Sequence, residues 1–164
     1  MINRFVVMGV SGCGKSHIGA AFAKAIAANF IDGDTLHPDA NIAKMRRGEP
    51  LNDADRAPWL EKVGLVLGPN TIIACSSLKR SYRDRIRASA GAPVAFLFLQ
   101  GERPLLLDRM NNRPGHFMPP ALLDSQLATL EPPAADELHI IGSINNPPDK
   151  IVNLFIEASK ELNR

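Results

Sequence analysis

Charge of one sign is missing from this sequence. Nineteen Lys and Arg face seventeen Asp and Glu, a net +2. That is too balanced for a general nucleic-acid binder, although local basic patches remain possible. Long apolar runs are missing too: none approaches the ~20 residues of a membrane helix. Met1–Gly12 holds one Arg and a four-residue apolar stretch, short of the apolar core of a secretory signal. Only two cysteines occur, Cys13 and Cys75. They make no disulfide framework, so the expectation is a reduced, cytoplasmic protein. No internal repeat or low-complexity tract is visible. What is present is ordinary for a folded chain: 45% hydrophobic and 22% charged residues over 164 positions, enough for one domain, 1–164, with a buried core.

Five short apolar runs read as strands: Phe5–Met8, Asn29–Ile31, Thr71–Cys75, Val94–Leu99 and Leu138–Ile141. Unbroken apolar runs suit strands buried on both faces, as in a parallel sheet. Helical stretches lie between and after them, near Lys15–Ala28, Pro38–Arg47, Asp53–Leu67, Leu78–Ala90, Pro104–Asn112, Pro119–Leu130 and Pro147–Glu161. This alternation predicts a doubly wound α/β fold with right-handed crossovers. Two stretches depart from it. Residues 35–67 carry two helices between consecutive strands, and residues 111–120 are broken by Pro and Gly. Long excursions in compact domains usually carry function or disorder.

Gly9-Val10-Ser11-Gly12-Cys13-Gly14-Lys15-Ser16 matches G-x-x-x-x-G-K-[ST], between an apolar strand and an Ala-rich helix. Glycines let such a loop wrap an anion with inward N–H groups, and the helix N-terminus adds its positive end. Lys15 is expected to reach the β and γ phosphates of ATP, and the Ser16 hydroxyl to ligate Mg²⁺. The bland alternative is a glycine-rich turn without a ligand. Cys13 inside the loop reads either as a redox-sensitive thiol or, preferably, as a small residue pointing away from the phosphates.

Asp32-Gly33-Asp34 follows the second strand. Two carboxylates there would meet the phosphate loop across the crevice where such sheets bind ligands. One could hold a Mg²⁺ water and the other accept a proton from an attacking hydroxyl. No Asp ends a later strand: the third run closes on Cys75-Ser76 and the fourth on Leu99-Gln100. Asp32 is therefore the best metal candidate. A plain Asp-Gly turn is the alternative. Neither N-K-x-D nor a D-x-x-G after the third strand occurs, so a small kinase fits better than a GTPase.

Leu36–Leu60 is dense in groups that bond hydroxyls and anions. Asn41, Lys44 and Gly48 read as one helix face at i, i+3 and i+7. Lys79–Arg87 holds five basic residues against one acidic. A basic first turn opposes the helix dipole, a hint of an anionic ligand at Lys79 and Arg83, whereas Arg85 and Arg87 read as a solvated face. Arg109 and Arg113 lead into the broken loop, where arginines can neutralise a transferring phosphoryl group or simply cap a helix. His116 could face substrate or tie down the loop.

The chain resembles the gluconate kinase family of small P-loop kinases, itself similar to shikimate kinases. The resemblance runs almost the whole length, through Gly9–Ser16, Asp32–Leu60, Cys75–Arg87 and Arg113–Pro133. It implies a three-layer P-loop kinase fold with a five-stranded parallel sheet in the order 2-3-1-4-5, and a mobile lid at about 111–120. It implies ATP- and Mg²⁺-dependent phosphorylation of D-gluconate at its 6-hydroxyl, feeding the pentose phosphate route, by a homodimer with no nucleic-acid or membrane partner. On that reading Asp34 accepts the proton. Lys15, Arg109 and Arg113 stabilise the transition state. Ser16 and Asp32 hold the metal. Residues 9–16, His17 and Arg109 bind ATP, with adenine between Arg109 and the loop Gly142–Pro147. His37, Lys44, Arg56, Lys79, Arg83 and His116 are the acceptor ligands. Departures are mild: Cys13 stands where Ser is frequent, Ser77 where Ala is common, and Leu127 replaces an aromatic residue.

Three rivals stay open. One is a kinase for another small hydroxylated acid such as shikimate. Another is a nucleotide-binding regulatory module without turnover, against which the intact Lys15, Asp32 and Asp34 argue. The third is a nucleic-acid accessory using Lys79–Arg87, which would bind with steep salt dependence.

Overall fold

The computed structural model describes residues 1–112 and 119–164. Five strands form one parallel sheet: β1 Arg4–Met8, β2 Asn29–Asp32, β3 Thr71–Ala74, β4 Ala95–Gln100 and β5 His139–Ser143. Their order across the sheet is β2-β3-β1-β4-β5, as the resemblance implied. Among the described residues seven helices connect and flank them: α1 Lys15–Ala25, α2 Asp39–Arg46, α3 Asp53–Val66, α4 Arg80–Ala90, α5 Arg103–Asn111, α6 Pro120–Thr129 and α7 Pro148–Leu162. A 3-10 turn, Gly33–Leu36, follows β2. Among the described residues, no helix is long and apolar enough to cross a membrane.

Side-chain alternation along β1 separates two cores. Phe5 and Val7 join the layer containing Phe22, Leu97, Leu106, Leu123, Ile151 and Phe155. Val6 and Met8 face Trp59, Leu60, Val63, Ile86, Phe96 and Phe98. Successive strand residues point to opposite faces, so a strand buried on both sides must be apolar throughout. On the first side Phe22 packs edge-on to Phe5 and Phe155, with ring centroids 5.3 and 6.1 Å apart. These contacts seat α1 against the sheet and fix the phosphate loop at its N-terminus.

The excursion after β2 is built by local capping. Asn52 accepts from the Asp55 N–H at 2.8 Å, and Asp55 accepts in return from the Asn52 N–H at 3.0 Å. This capping box starts α3 despite Pro58 in its second turn. One sequence expectation fails here. Helix α2 ends at Arg46, and Gly48 beyond it adopts φ +77°, so Gly48 shares no helix face with Asn41 and Lys44.

Candidate active site

The loop between β1 and α1 turns through left-handed backbone at Gly12 and Gly14, φ +83° and +89°. A side chain at Gly12 would also crowd the Leu106 carbonyl, so both conformation and space call for glycine. Behind the loop, the Gly9 N–H donates to the Ser76 carbonyl at 3.2 Å, tying it to the chain leaving β3. Val10 and Cys13 are buried beneath it. Burial pushes the Cys13 thiol up, only partly offset by Lys15. This is the environment of an inert thiol, so Cys13 packs under the loop as the bland reading had it.

A cavity of about 170 Å³ opens in front of this loop. It is lined by Ser11, Lys15, Ser16, Asp32, Asp34 and Gln126, with Ala74, Cys75 and Ser76 behind. The phosphate loop and both carboxylates of the Asp32-Gly33-Asp34 turn therefore share one chamber at the C-terminal ends of β1, β2 and β3. Lys15 Nζ lies along the loop, 3.2 Å from the Val10 carbonyl. Asp32 Oδ1 accepts from the Asp34 N–H at 3.0 Å and so caps the 3-10 turn that aims Asp34. His17, in the first turn of α1, is exposed and is not among the lining residues. Arg109, in the last turn of α5, donates to the Ile144 carbonyl at 2.6 Å. That contact brings it to the loop after β5. Arg113 and His116 lie outside the described residues.

The acceptor-side residues gather on α2, α3 and α4. His37 stacks on Trp59, with centroids 4.1 Å apart and planes at 17°, and accepts from Asn41 at its Nδ1. Burial lowers the His37 pKa, with Asp34 pulling the other way. Trp59 Nε1 donates to the Gly33 carbonyl at 2.9 Å, which ties α3 to the carboxylate turn. Lys44 Nζ pairs with Asp55 at 2.6 Å. Arg56 reaches the Tyr82 hydroxyl at 3.3 Å, and that hydroxyl donates to Asp53. Lys79 meets the same Asp53 at 3.4 Å. Arg56 and Lys79 each approach the Tyr82 ring to 5.5 Å from its centroid.

Arg83 must be corrected. Its side chain is 0% exposed and is spent on Glu137 at 2.8 and 3.1 Å and on the Ser77 carbonyl at 2.9 Å. Buried in this way, the guanidinium presents no surface to a substrate carboxylate. The inference that a basic first turn needs an external anion fails for the same reason: the protein supplies its own carboxylates. Arg80 pairs with Asp136, Arg85 with Glu61, and Arg87 with Asp84 and Glu137. Every cation of the Lys79–Arg87 stretch has an acidic partner, which cancels the basic patch. Asp53 and Trp59 belong to the polar Leu36–Leu60 stretch without an individual role in the sequence, and Tyr82 and Gln126 carry none there either. For Gln126 a signal existed, because it is a polar residue on the face of α6 that carries Leu123, Leu127 and Leu130 into the core.

A family model described as an AAA domain matches residues 5–133. The thermosensitive gluconokinase of Escherichia coli K12 is 50% identical over 144 residues, spanning 84% of this chain and 76% of the relative. The gluconokinase of Gluconobacter oxydans 621H is 44% identical, spanning 92% of this chain and 88% of its own. Among solved structures, a gluconokinase from Sinorhizobium meliloti 1021 superposes with a TM-score of 0.89 at 46% identity, covering 98% of this chain and 93% of that one. A shikimate kinase from Bacteroides thetaiotaomicron shares the fold, with a TM-score of 0.70 at 17% identity. By sequence over most of its length and by its fold, the chain belongs to the gluconokinase family of P-loop kinases.

Proposed function

We propose that this protein is a gluconokinase, transferring the terminal phosphoryl group of ATP to the 6-hydroxyl of D-gluconate to give ADP and 6-phospho-D-gluconate. The observation that carries the reading is the single chamber shared by Lys15, Ser16, Asp32 and Asp34. An anion cradle and a carboxylate pair facing one another are what phosphoryl transfer to an alcohol needs.

In this reading residues 9–16 bind the phosphates, through those loop amides that do not already donate within the protein. Asp34 orients the acceptor hydroxyl and takes its proton as the new P–O bond forms. Lys15 offsets charge on the transferring group, joined by Arg109 and Arg113. His37, Lys44, Arg56 and Lys79 bind the polyol and its carboxylate, with His116 as a further candidate; Arg83 is excluded from this set by its complete burial. Ser16 and Asp32 would hold Mg²⁺. Among the described residues no three His, Cys, Asp or Glu side chains cluster into a closed metal site. That suits Mg²⁺, which keeps several waters and takes one or two protein oxygens beside substrate phosphates. When bound, it neutralises phosphate charge. A homodimer, a cytoplasmic location and a product feeding the pentose phosphate route complete the proposal.

The test is ADP release over a panel of aldonic acids and shikimate, with Mg²⁺ withheld as the control. D-gluconate should be turned over fastest; a preference for shikimate, or ATP binding without ADP release, would reject the reading. Asp34→Asn should lower kcat about a hundredfold, the low end for a positioned base, while leaving ATP affinity nearly unchanged. A change confined to the gluconate KM would make Asp34 a substrate ligand and not the proton acceptor.

A further inference from the structure

Gln126 enters the phosphate chamber from α6, an element assigned no part in the chemistry above. Its Oε1 accepts from the Ser11 N–H at 2.7 Å across 115 residues of sequence. The same carboxamide carries N–H donors on Nε2, for which no acceptor occurs among the described residues. Gln126 lines the same cavity as Lys15, Ser16, Asp32 and Asp34. It is therefore a neutral donor in the cavity that the phosphate loop shares with the carboxylate pair.

The helix holding it is anchored at its far end and along its inner face. Leu123 is fully buried, and Leu127 and Leu130 pack against the core. Beyond the helix, the Glu131 N–H donates to the Leu78 carbonyl at 2.7 Å, and the Glu131 carboxylate accepts from the Arg80 N–H at 2.9 Å. Both contacts lie on the segment joining β3 to α4. A side chain held by a packed helix is positioned more sharply than one on a free loop. An amide donor adds hydrogen bonding to phosphate oxygens without adding a second charge beside Lys15.

We propose that Gln126 is a further binding residue of the phosphoryl-transfer site, its Nε2 donating to the terminal phosphoryl group of ATP while Oε1 keeps it against the loop at Ser11. This rests on the kinase reading above. The competing role is a plain cap that only satisfies the Ser11 amide, and two variants separate them. Gln126→Glu keeps the acceptor and the length but has no donor. Gln126→Met keeps the length and loses both.

Steady-state kinetics with ATP and D-gluconate, thermal melts, and the slow hydrolysis of ATP by water without acceptor would be measured for each. Gln126→Met should lower kcat at least tenfold, with the ATP KM within about threefold and Tm within ~2 °C, because single electrostatic contacts to a transferring group are worth this much or more. Gln126→Glu should fall further, since its carboxylate repels the phosphate. Wild-type turnover in Gln126→Glu would show that acceptance from Ser11 is all that matters and would overturn the proposal. So would unchanged kcat in Gln126→Met, or a kcat loss matched by a collapse in Tm. If the wild type ignored gluconate, the substrate reading would fall, while the hydrolysis comparison would still decide the part of Gln126.

Discussion

Lys15→Ala should cut turnover by two to three orders of magnitude while leaving the melting temperature almost unchanged. Among the described residues the ammonium hydrogen-bonds only within its own loop, 3.2 Å from the Val10 carbonyl and 4.0 Å from Cys13 Sγ. Removing it breaks no link between elements, so little stability is at stake. Its place in the chamber with Ser16 and the two carboxylates is another matter. The flexible stem lets a compact charge follow the phosphoryl oxygens as charge redistributes, and one such group is worth ~10²–10³ in kcat. Steady-state ADP release with a parallel thermal melt checks both halves. Near-normal turnover would strip Lys15 of its role, and a large fall in Tm would mean that the kinetic loss reports unfolding.

Arg83→Ala should do the reverse, damaging the fold more than substrate binding. Arg83 is 0% and Glu137 1% exposed, and the alanine variant removes two of that buried carboxylate's four hydrogen bonds, leaving it to Arg87 and the Ala134 N–H. Breaking a buried pair from one side costs ~3–5 kcal/mol. In a domain of this size that is a Tm drop of roughly 10 °C or more. Acid should act through the same pair. Burial pushes the Glu137 carboxyl up, but hydrogen bonds from Arg83, the Ala134 N–H and Arg87 outweigh it and hold the group at about 2, below its ordinary 4.5. A depressed carboxylate contributes stability that is present above its unfolded value and lost as pH falls toward the folded one. Melting temperatures of the wild type should therefore decline between pH 4.5 and 2 more steeply than those of Glu137→Gln. A variant at Arg83 that kept its Tm but showed a raised gluconate KM would return that arginine to the substrate site.

Arg83 also marks where sequence reasoning stops. The phosphate loop was legible because its function is backbone geometry, and Gly, Lys and Ser at fixed spacing encode that locally. The strands were legible because burial on both faces forces unbroken apolar runs, and each observed strand lies within two residues of its expected ends. The Asp32-Gly33-Asp34 turn was legible because it ends such a run. The basic helix was not. Whether its cations meet solvent, substrate or a carboxylate depends on Asp53, Asp136 and Glu137, which lie 26 to 56 positions away in sequence. Periodicity along one helix carries no information about those partners. Gln126 is a related case: one polar residue on a leucine face signals an inward role, but its partner appears only when the tertiary fold brings it to Ser11.

The Trp59 side chain offers a last consequence. It is the chain's only tryptophan, and its indole both stacks on His37 and donates to the carbonyl of Gly33, the residue between the two carboxylates. Intrinsic fluorescence therefore originates from one point, at the hinge of acceptor-side and phosphate-side residues, with no label required. Titrating D-gluconate should shift that emission, and the response should persist in a Lys15→Ala protein that no longer turns over. Emission that stays constant at saturating gluconate would place the sugar acid away from the His37–Trp59 stack.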